Sequence, residues 1–247
     1  MDRMSDGIIK WIKDYYSFSS DAKAIIGISG GADSSVTAAL LVKALGKDRV
    51  IGVLMPCGHQ HDIDVSYKLV EHLGIKYHVV NIESAMNAIT SVIGESLATD
   101  PLGSDVYRTN TPARLRMTTL YGVCALYGGR VVNTCNLSED YIGYSTKFGD
   151  SAGDFSVLSG FTKTEVRMIG RELNLPDMFV EKVPEDGMSG QSDEERMGFT
   201  YAVLDRYIRT GEIDDPETKA IIDRKHVANL HKIELMPAYD PGLYRIK

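Results

Sequence analysis

The chain has 247 residues, 43% hydrophobic and 25% charged, with a formal net charge of −7 and three cysteines. That length suits a single α/β domain spanning 1–247 with a substantial core. The acidic balance argues against nucleic-acid partners while leaving room for a small anionic substrate in a locally basic cleft. No apolar run nears membrane-spanning length, no basic-then-apolar leader is present, and Cys57, Cys124 and Cys135 form no CxxC pair. A membrane span, a secretory leader, a disulfide framework and a zinc site are therefore not indicated, and a cytoplasmic location is expected.

In chain order, Met4, Ile8, Trp11, Ile12 and Tyr15 recur at helical spacing and predict an amphipathic helix over 3–16. Strand-like runs follow at 24–28, 50–55, 76–80 and 131–134, separated by helical stretches at about 34–45, 62–73, 83–93 and 112–127. Strands alternating with helices predict a doubly wound, mostly parallel sheet flanked by helices, with ligands bound beyond the carboxyl ends of the strands. Thr162-Lys-Thr-Glu165 reads as a capping box opening a helix through about Leu173, which Pro176 ends. Residues 193–210 and 214–229 read as two further helices, and 182–191, with Gly187 and Gly190, as a mobile loop.

The most informative stretch is Gly27-Ile-Ser-Gly-Gly-Ala-Asp-Ser34, between the first strand and its helix. A glycine-rich strand-to-helix turn offers free backbone N–H groups and the positive end of a helix dipole, which suits phosphate. Asp33 is unexpected there, because a carboxylate repels phosphate unless a cation lies between them; it points to a magnesium-bridged nucleotide. No Gly-Lys-Ser/Thr follows, so this is not a Walker loop, and Gly-x-Gly-x-x-Gly is absent. After the fourth strand, Glu139 lies at the same edge and can share a metal with Asp33.

The 29–34 loop resembles the pyrophosphate loop of the N-type ATP pyrophosphatases, whose fold is adenine nucleotide alpha-hydrolase-like. The resemblance narrows through Asn110-Thr-Pro-Ala-Arg-Leu-Arg-Met117, Thr134 to Glu139, Thr146-Lys-Phe-Gly-Asp150 with Asp154, and Leu158 to Lys163. Gly190 to Glu194, Gly198 to Tyr201 and His231-Lys232 continue it. Together these are similar to the ammonia-dependent NAD synthetase family. The resemblance implies a ligase that forms a C–N bond: ATP adenylates the carboxylate of nicotinic acid adenine dinucleotide, and ammonia displaces AMP to give NAD. It further implies that Gly27, Ile28, Ser29, Gly30, Gly31, Ala32, Asp33, Ser34, Gln60, Thr134 and Lys163 bind ATP. Asp33 and Glu139 would hold Mg2+, and Arg114, Lys147, Asp154, His231 and Lys232 the dinucleotide acid. A homodimer is implied, with helix 112–127 a candidate for its interface and the dinucleotide site near it.

Some positions depart from the family pattern. Leu54 stands where several relatives carry arginine, Glu185 where they carry threonine or serine, and Cys135 where a smaller residue is expected. The length leaves no room for a nitrilase-type glutaminase, so free ammonia is the expected nitrogen donor. The alternatives are another ATP pyrophosphatase, either an amidotransferase or a tRNA thiolase, and a non-catalytic adenine-nucleotide-binding module. A thiolase would need cysteine pairs and a more basic surface. A binding module would not need Glu139, Lys163, Arg114 and Lys147 together.

Overall fold

The structure is a computed structural model describing residues 3–181 and 192–241. The expected loop at 182–191, with Glu185, lies outside the described residues. The elements run α1 Met4–Tyr15, β1 Lys23–Gly27, α2 Ala32–Leu45, β2 Val50–Leu54, α3 Ile63–Leu73, β3 Lys76–Val79, α4 Glu83–Leu97 and α5 Asp105–Tyr127. They continue with β4 Gly129–Asn133, α6 Leu137–Ile142, β5 Phe155–Ser156, α7 Lys163–Glu172, α8 Asp177–Val180, α9 Asp193–Met197, α10 Tyr201–Thr210 and α11 Pro216–Ile233.

The strands pair in the order β3-β2-β1-β4-β5, and all four pairings are parallel. The chain leaves β1 toward β2 on one side and reaches β4 on the other. The crevice between β1 and β4 is therefore the topological switch point, where sheets of this kind bind ligands. Side chains alternate across the sheet as the pleat requires. Ala24, Ile26 and Ile28 pack with Val36, Leu40, Val166 and Ile169, whereas Ile25 joins Ile51, Val53, Met117, Leu120 and Val131 on the α5 side. A third cluster, Ile142, Met197, Phe199, Tyr201, Leu204 and Ile222, binds α6, α9, α10 and α11 into a helical cap. Each fully buried leucine or isoleucine in it, such as Leu204 and Ile222, contributes about 1.5–3 kcal/mol.

Three expectations need correction. Helix α5 starts at Asp105, not 112, because the Ser104 hydroxyl accepts from the Tyr107 N–H and opens the helix a full two turns earlier; Pro112 is buried inside it. The stretch 193–210 is two helices rather than one, since Gly198 takes φ +85 and Thr200 caps α10 afresh. The two-residue β5 was not foreseen, being too short to show an alternating pattern. Among the described residues, no helix is long and apolar enough to cross a membrane.

Candidate active site

The glycine-rich loop leaves the sheet after Ile28, whose N–H still donates to Val53 O at 2.9 Å. Gly30 has φ +78, and a Cβ there would meet Ser66 Oγ at 3.1 Å and Val65 Cβ at 3.2 Å. Only glycine fits both the left-handed backbone and the close approach of α3. Hydroxyls then bind the loop together: Ser29 and Ser34 Oγ are 3.1 Å apart, and Ser34 and Ser35 donate to Gly31 O at 3.1 and 2.8 Å. Gly31, at the N-cap of α2, has no side chain to satisfy the first-turn N–H groups, which leaves them available to an anion.

Beside this loop, three elements converge on one ammonium. Lys163 Nζ, in the first turn of α7, lies 2.5 Å from Asp33 Oδ2 and 3.1 Å from Glu139 Oε1. The lysine side chain is 3% exposed and the two carboxylates 16% and 15%, so solvent screens the trio little. Burial pushes Glu139 up to about 8, outweighing the attraction of Lys163, with Asp33 raising it further. Lys163 moves the opposite way from a lone buried lysine, because the two acids outweigh its desolvation and hold it protonated. Each acid is also placed by a cap. Asn136 is the N-cap of α6 in a reciprocal box with Glu139, and its Nδ2 donates to Asp33 Oδ1 at 2.9 Å. Thr162 and Glu165 form the predicted capping box of α7.

The other residues expected on ATP lie around this edge. Gln60 follows β2, its amide donating to Asp62 at 2.8 Å, and Thr134 is half-buried just beyond β4. Cys135 is a buried small residue. Its Sγ donates to Asp150 O at 3.3 Å, and burial raises its thiol well above the ordinary value.

The residues expected on the acid substrate fall into two places. Arg114, Lys147, His231 and Lys232 come together: Arg114 Nε donates to Lys147 O at 3.2 Å, and Lys147 Nζ to the His231 carbonyl. Lys232 Nζ donates to Gly143 O at 2.7 Å and Ser145 O at 2.9 Å, so it also fastens α11 to the turn after α6. Asp154 stands apart from this group. Its carboxylate accepts from Val131 N at 2.7 Å and from the Tyr121 hydroxyl at 3.3 Å. Phe148, between Lys147 and Gly149, is exposed with φ +63, a conformation that costs a non-glycine residue free energy.

Two residues beside the trio were quoted in the sequence only as parts of runs. The Tyr201 ring lies 5.2 Å from Lys163 Nζ, and its hydroxyl donates to Asp193 Oδ2 at 3.2 Å. Burial is the main reason that Asp193 titrates above the usual carboxylate range. No local pattern marks either as a neighbour of Lys163, because the contact spans a chain separation that only tertiary packing closes.

The loop, the acid–lysine trio and the basic group at α11 thus occupy one edge of a parallel sheet. The NAD synthase family model matches residues 4–239, nearly the whole chain. The chain belongs to the NAD synthase family. Relatives in it include the NH(3)-dependent NAD(+) synthetase of Pyrococcus furiosus, 40% identical over 74% of this chain and 70% of the relative. That of Alkaliphilus metalliredigens is 33% identical over 93% of this chain and 95% of the relative. Among solved structures, an NMN synthetase from Francisella tularensis superimposes with a TM-score of 0.86 at 30% identity, covering 96% of this chain and 97% of that one. An NH3-dependent NAD synthetase from Campylobacter jejuni gives 0.75 at 25% identity over 97% and 100%. Both solved structures share the α/β fold described above.

Proposed function

We propose that the chain is an ammonia-dependent NAD synthetase acting as a single domain. ATP adenylates the carboxylate of nicotinic acid adenine dinucleotide and releases pyrophosphate. The nitrogen lone pair of ammonia then attacks the activated carbonyl, the C–O bond to AMP breaks, and the nitrogen loses a proton to leave the amide of NAD. The observation that carries this reading is the Lys163 ammonium held between Asp33 and Glu139 beside an uncapped glycine-rich helix start. A phosphate cradle explains the loop, and a cation-bridged polyphosphate gives two acids and a lysine at its rim a common task.

Asp33 and Glu139 fit a magnesium ion: both are hard oxygen donors close enough to share one ammonium. Magnesium takes one or two carboxylates and completes its shell with water and phosphate oxygens. When bound it would offset the charge growing on the departing pyrophosphate. The chain's own residues do the rest by position. The first-turn N–H groups of α2 and the Ser29 and Ser34 hydroxyls hold phosphate oxygens, with Gly27 to Ser34, Gln60 and Thr134 lining the nucleotide. Lys163 supplies a cation that exchanges carboxylate for phosphate partners. Arg114, Lys147, His231 and Lys232 hold the acid substrate, exchanging backbone carbonyls for its phosphates, and Asp154 orients its far end. Little covalent chemistry is asked of the protein.

We take the working form to be a cytoplasmic homodimer. Ile89, Val92 and Leu97 on α4 and Val106, Tyr121 and Leu126 on α5 expose apolar surface, which supports an interface on this side. The expected nitrogen donor is free ammonia.

A second reading concerns the acceptor alone. A solved structure of an NMN synthetase superimposes on 96% of this chain at 30% identity, which keeps a mononucleotide acid as a competing acceptor. One experiment tests both: purified protein, ATP, magnesium and ammonium are incubated with either acid, and AMP and the amide product are quantified. Failure to form AMP and amide from either acid refutes the synthetase reading, and the ratio of kcat/KM for the two acids chooses the acceptor. Glutamine supporting turnover as well as ammonium would overturn the choice of donor.

A further inference from the structure

Asp205 is a buried carboxylate that the reaction as described does not use. It is 6% exposed, and both its oxygens are engaged. Oδ1 accepts from the Ser138 hydroxyl and Oδ2 from the Thr164 N–H at 2.8 Å. Ser138, itself fully buried, accepts in turn from the Lys163 N–H at 3.0 Å. Ser138 immediately precedes Glu139 in the first turn of α6, and Thr164 immediately follows Lys163 in the first turn of α7. One carboxylate on α10 therefore touches the direct neighbours of both residues.

The bonding makes Asp205 more than an ordinary helix cap. Helix α7 is already capped by Thr162, which takes the Glu165 N–H, while Ser138 takes the Lys163 N–H. Asp205 adds the Thr164 N–H and the hydroxyl that crosses to α6. Its charge faces the N-terminal ends of two helices, whose dipoles favour an anion. Tyr201, one turn earlier on the same face of α10, places its ring 5.2 Å from the Lys163 ammonium. Helix α10 thus bears on Lys163 twice, through the Tyr201 ring at the head group and through Asp205, by way of Ser138 and Thr164, behind its backbone.

We propose that Asp205 is a positioning residue for the ATP and metal site: by tying Ser138 to Thr164 it fixes the spacing between Glu139 and Lys163. The inference rests on the synthetase reading, in which Glu139 holds the metal and Lys163 the phosphates. Partners that orient such groups from behind are worth 10–100-fold in affinity or activity.

The test compares Asp205→Asn, nearly isosteric, with Ser138→Ala, which removes only the bridging hydroxyl. Steady-state kinetics give KM for ATP, ammonium and the acid; Mn2+ binding in the presence of a non-hydrolysable ATP analogue is read by electron paramagnetic resonance. Asp205→Asn is expected to lower kcat/KM for ATP and weaken Mn2+ binding by about 10–100-fold, with KM for ammonium and for the acid moving less than about twofold. Ser138→Ala should follow the same pattern. Combined with Glu139→Gln, the loss should be less than the product of the two single losses, because both act on one spacing. Losses that multiply, a uniform rise in every KM, unchanged ATP parameters, or failure of Ser138→Ala to fold would overturn the proposal. A wild-type protein that forms no AMP would instead overturn the synthetase reading.

Discussion

Replacing Lys163 with methionine is the most direct probe of the acid–lysine trio. Methionine keeps the unbranched stem and its packing against Tyr201 but removes the charge, leaving Asp33 and Glu139 facing each other around a thioether. Stripping one partner from a buried ion pair costs about 3–5 kcal/mol. For a domain of this size each kcal/mol lowers Tm by about 2–4 °C, so the expected loss is about 6–20 °C. The loss must depend on pH. Glu139 titrates near 4.5 ordinarily and near 8 in the fold. The folded protein therefore holds an extra proton between these values, and this contribution, complete below 4.5, is lost as pH rises through about 8. Without Lys163 the acid holds its proton more tightly still. At pH 5 Glu139 is neutral and loses little with the ammonium, whereas at pH 9 its carboxylate also seeks its charge. Differential scanning fluorimetry of both proteins at the two pH values should show the larger gap at pH 9. Equal gaps, or a shift under about 2 °C at pH 9, would refute this account of the trio.

Asp33→Ala should cut turnover by about 10²–10³-fold while circular dichroism reports an intact fold, since Lys163 keeps Glu139 as partner; near-normal turnover counts against a metal role. Gly143→Ala should destabilise by about 2–5 kcal/mol, because Gly143 has φ +63 and a Cβ there would lie 2.1 Å from Asn229 Cβ. Urea denaturation checks that figure, and a change below about 1 kcal/mol would mean that α11 docks more loosely than the structure has it. Leu126→Glu, at an exposed position on α5, should weaken self-association by roughly tenfold; sedimentation equilibrium reads this, and no change would move the dimer interface elsewhere.

How much of this was legible in the sequence depended on whether the signal was local. The parallel sheet, the glycine-rich loop and the α7 capping box were readable because strand–turn–helix patterns and caps are written within a few consecutive residues. The start of α5 lies earlier than expected because its first turns, opened by Ser104 capping Tyr107, carry no hydrophobic period. Within the candidate site, Asp33 and Glu139 could be brought to one edge from the strand–turn–helix order. The direct contacts of Lys163 with both could not be read, because Lys163 reaches Asp33 across a separation of 130 residues. Asp205 escaped notice for the same reason: in sequence it is one acid on an amphipathic helix, and only packing reveals that it touches two helix starts.

The arrangement also separates two tasks. In the proposed reading, the nucleotide side is built on the sheet itself, from the ends of β1 and β4 and the starts of α2, α6 and α7, where rigid strands fix backbone donors. The side proposed for the acid substrate depends on α11, which is fastened to the turn after α6 by Lys232 donating to Gly143 and Ser145 and by Asn229 donating to Ile142 O at 3.1 Å. A substitution in α11 or at Gly143 therefore reaches the acceptor while leaving the ATP loop supported by its own strands. Gly143→Ala should accordingly raise KM for the acid more than KM for ATP, and equal changes in both would show that the two halves are not mechanically separate.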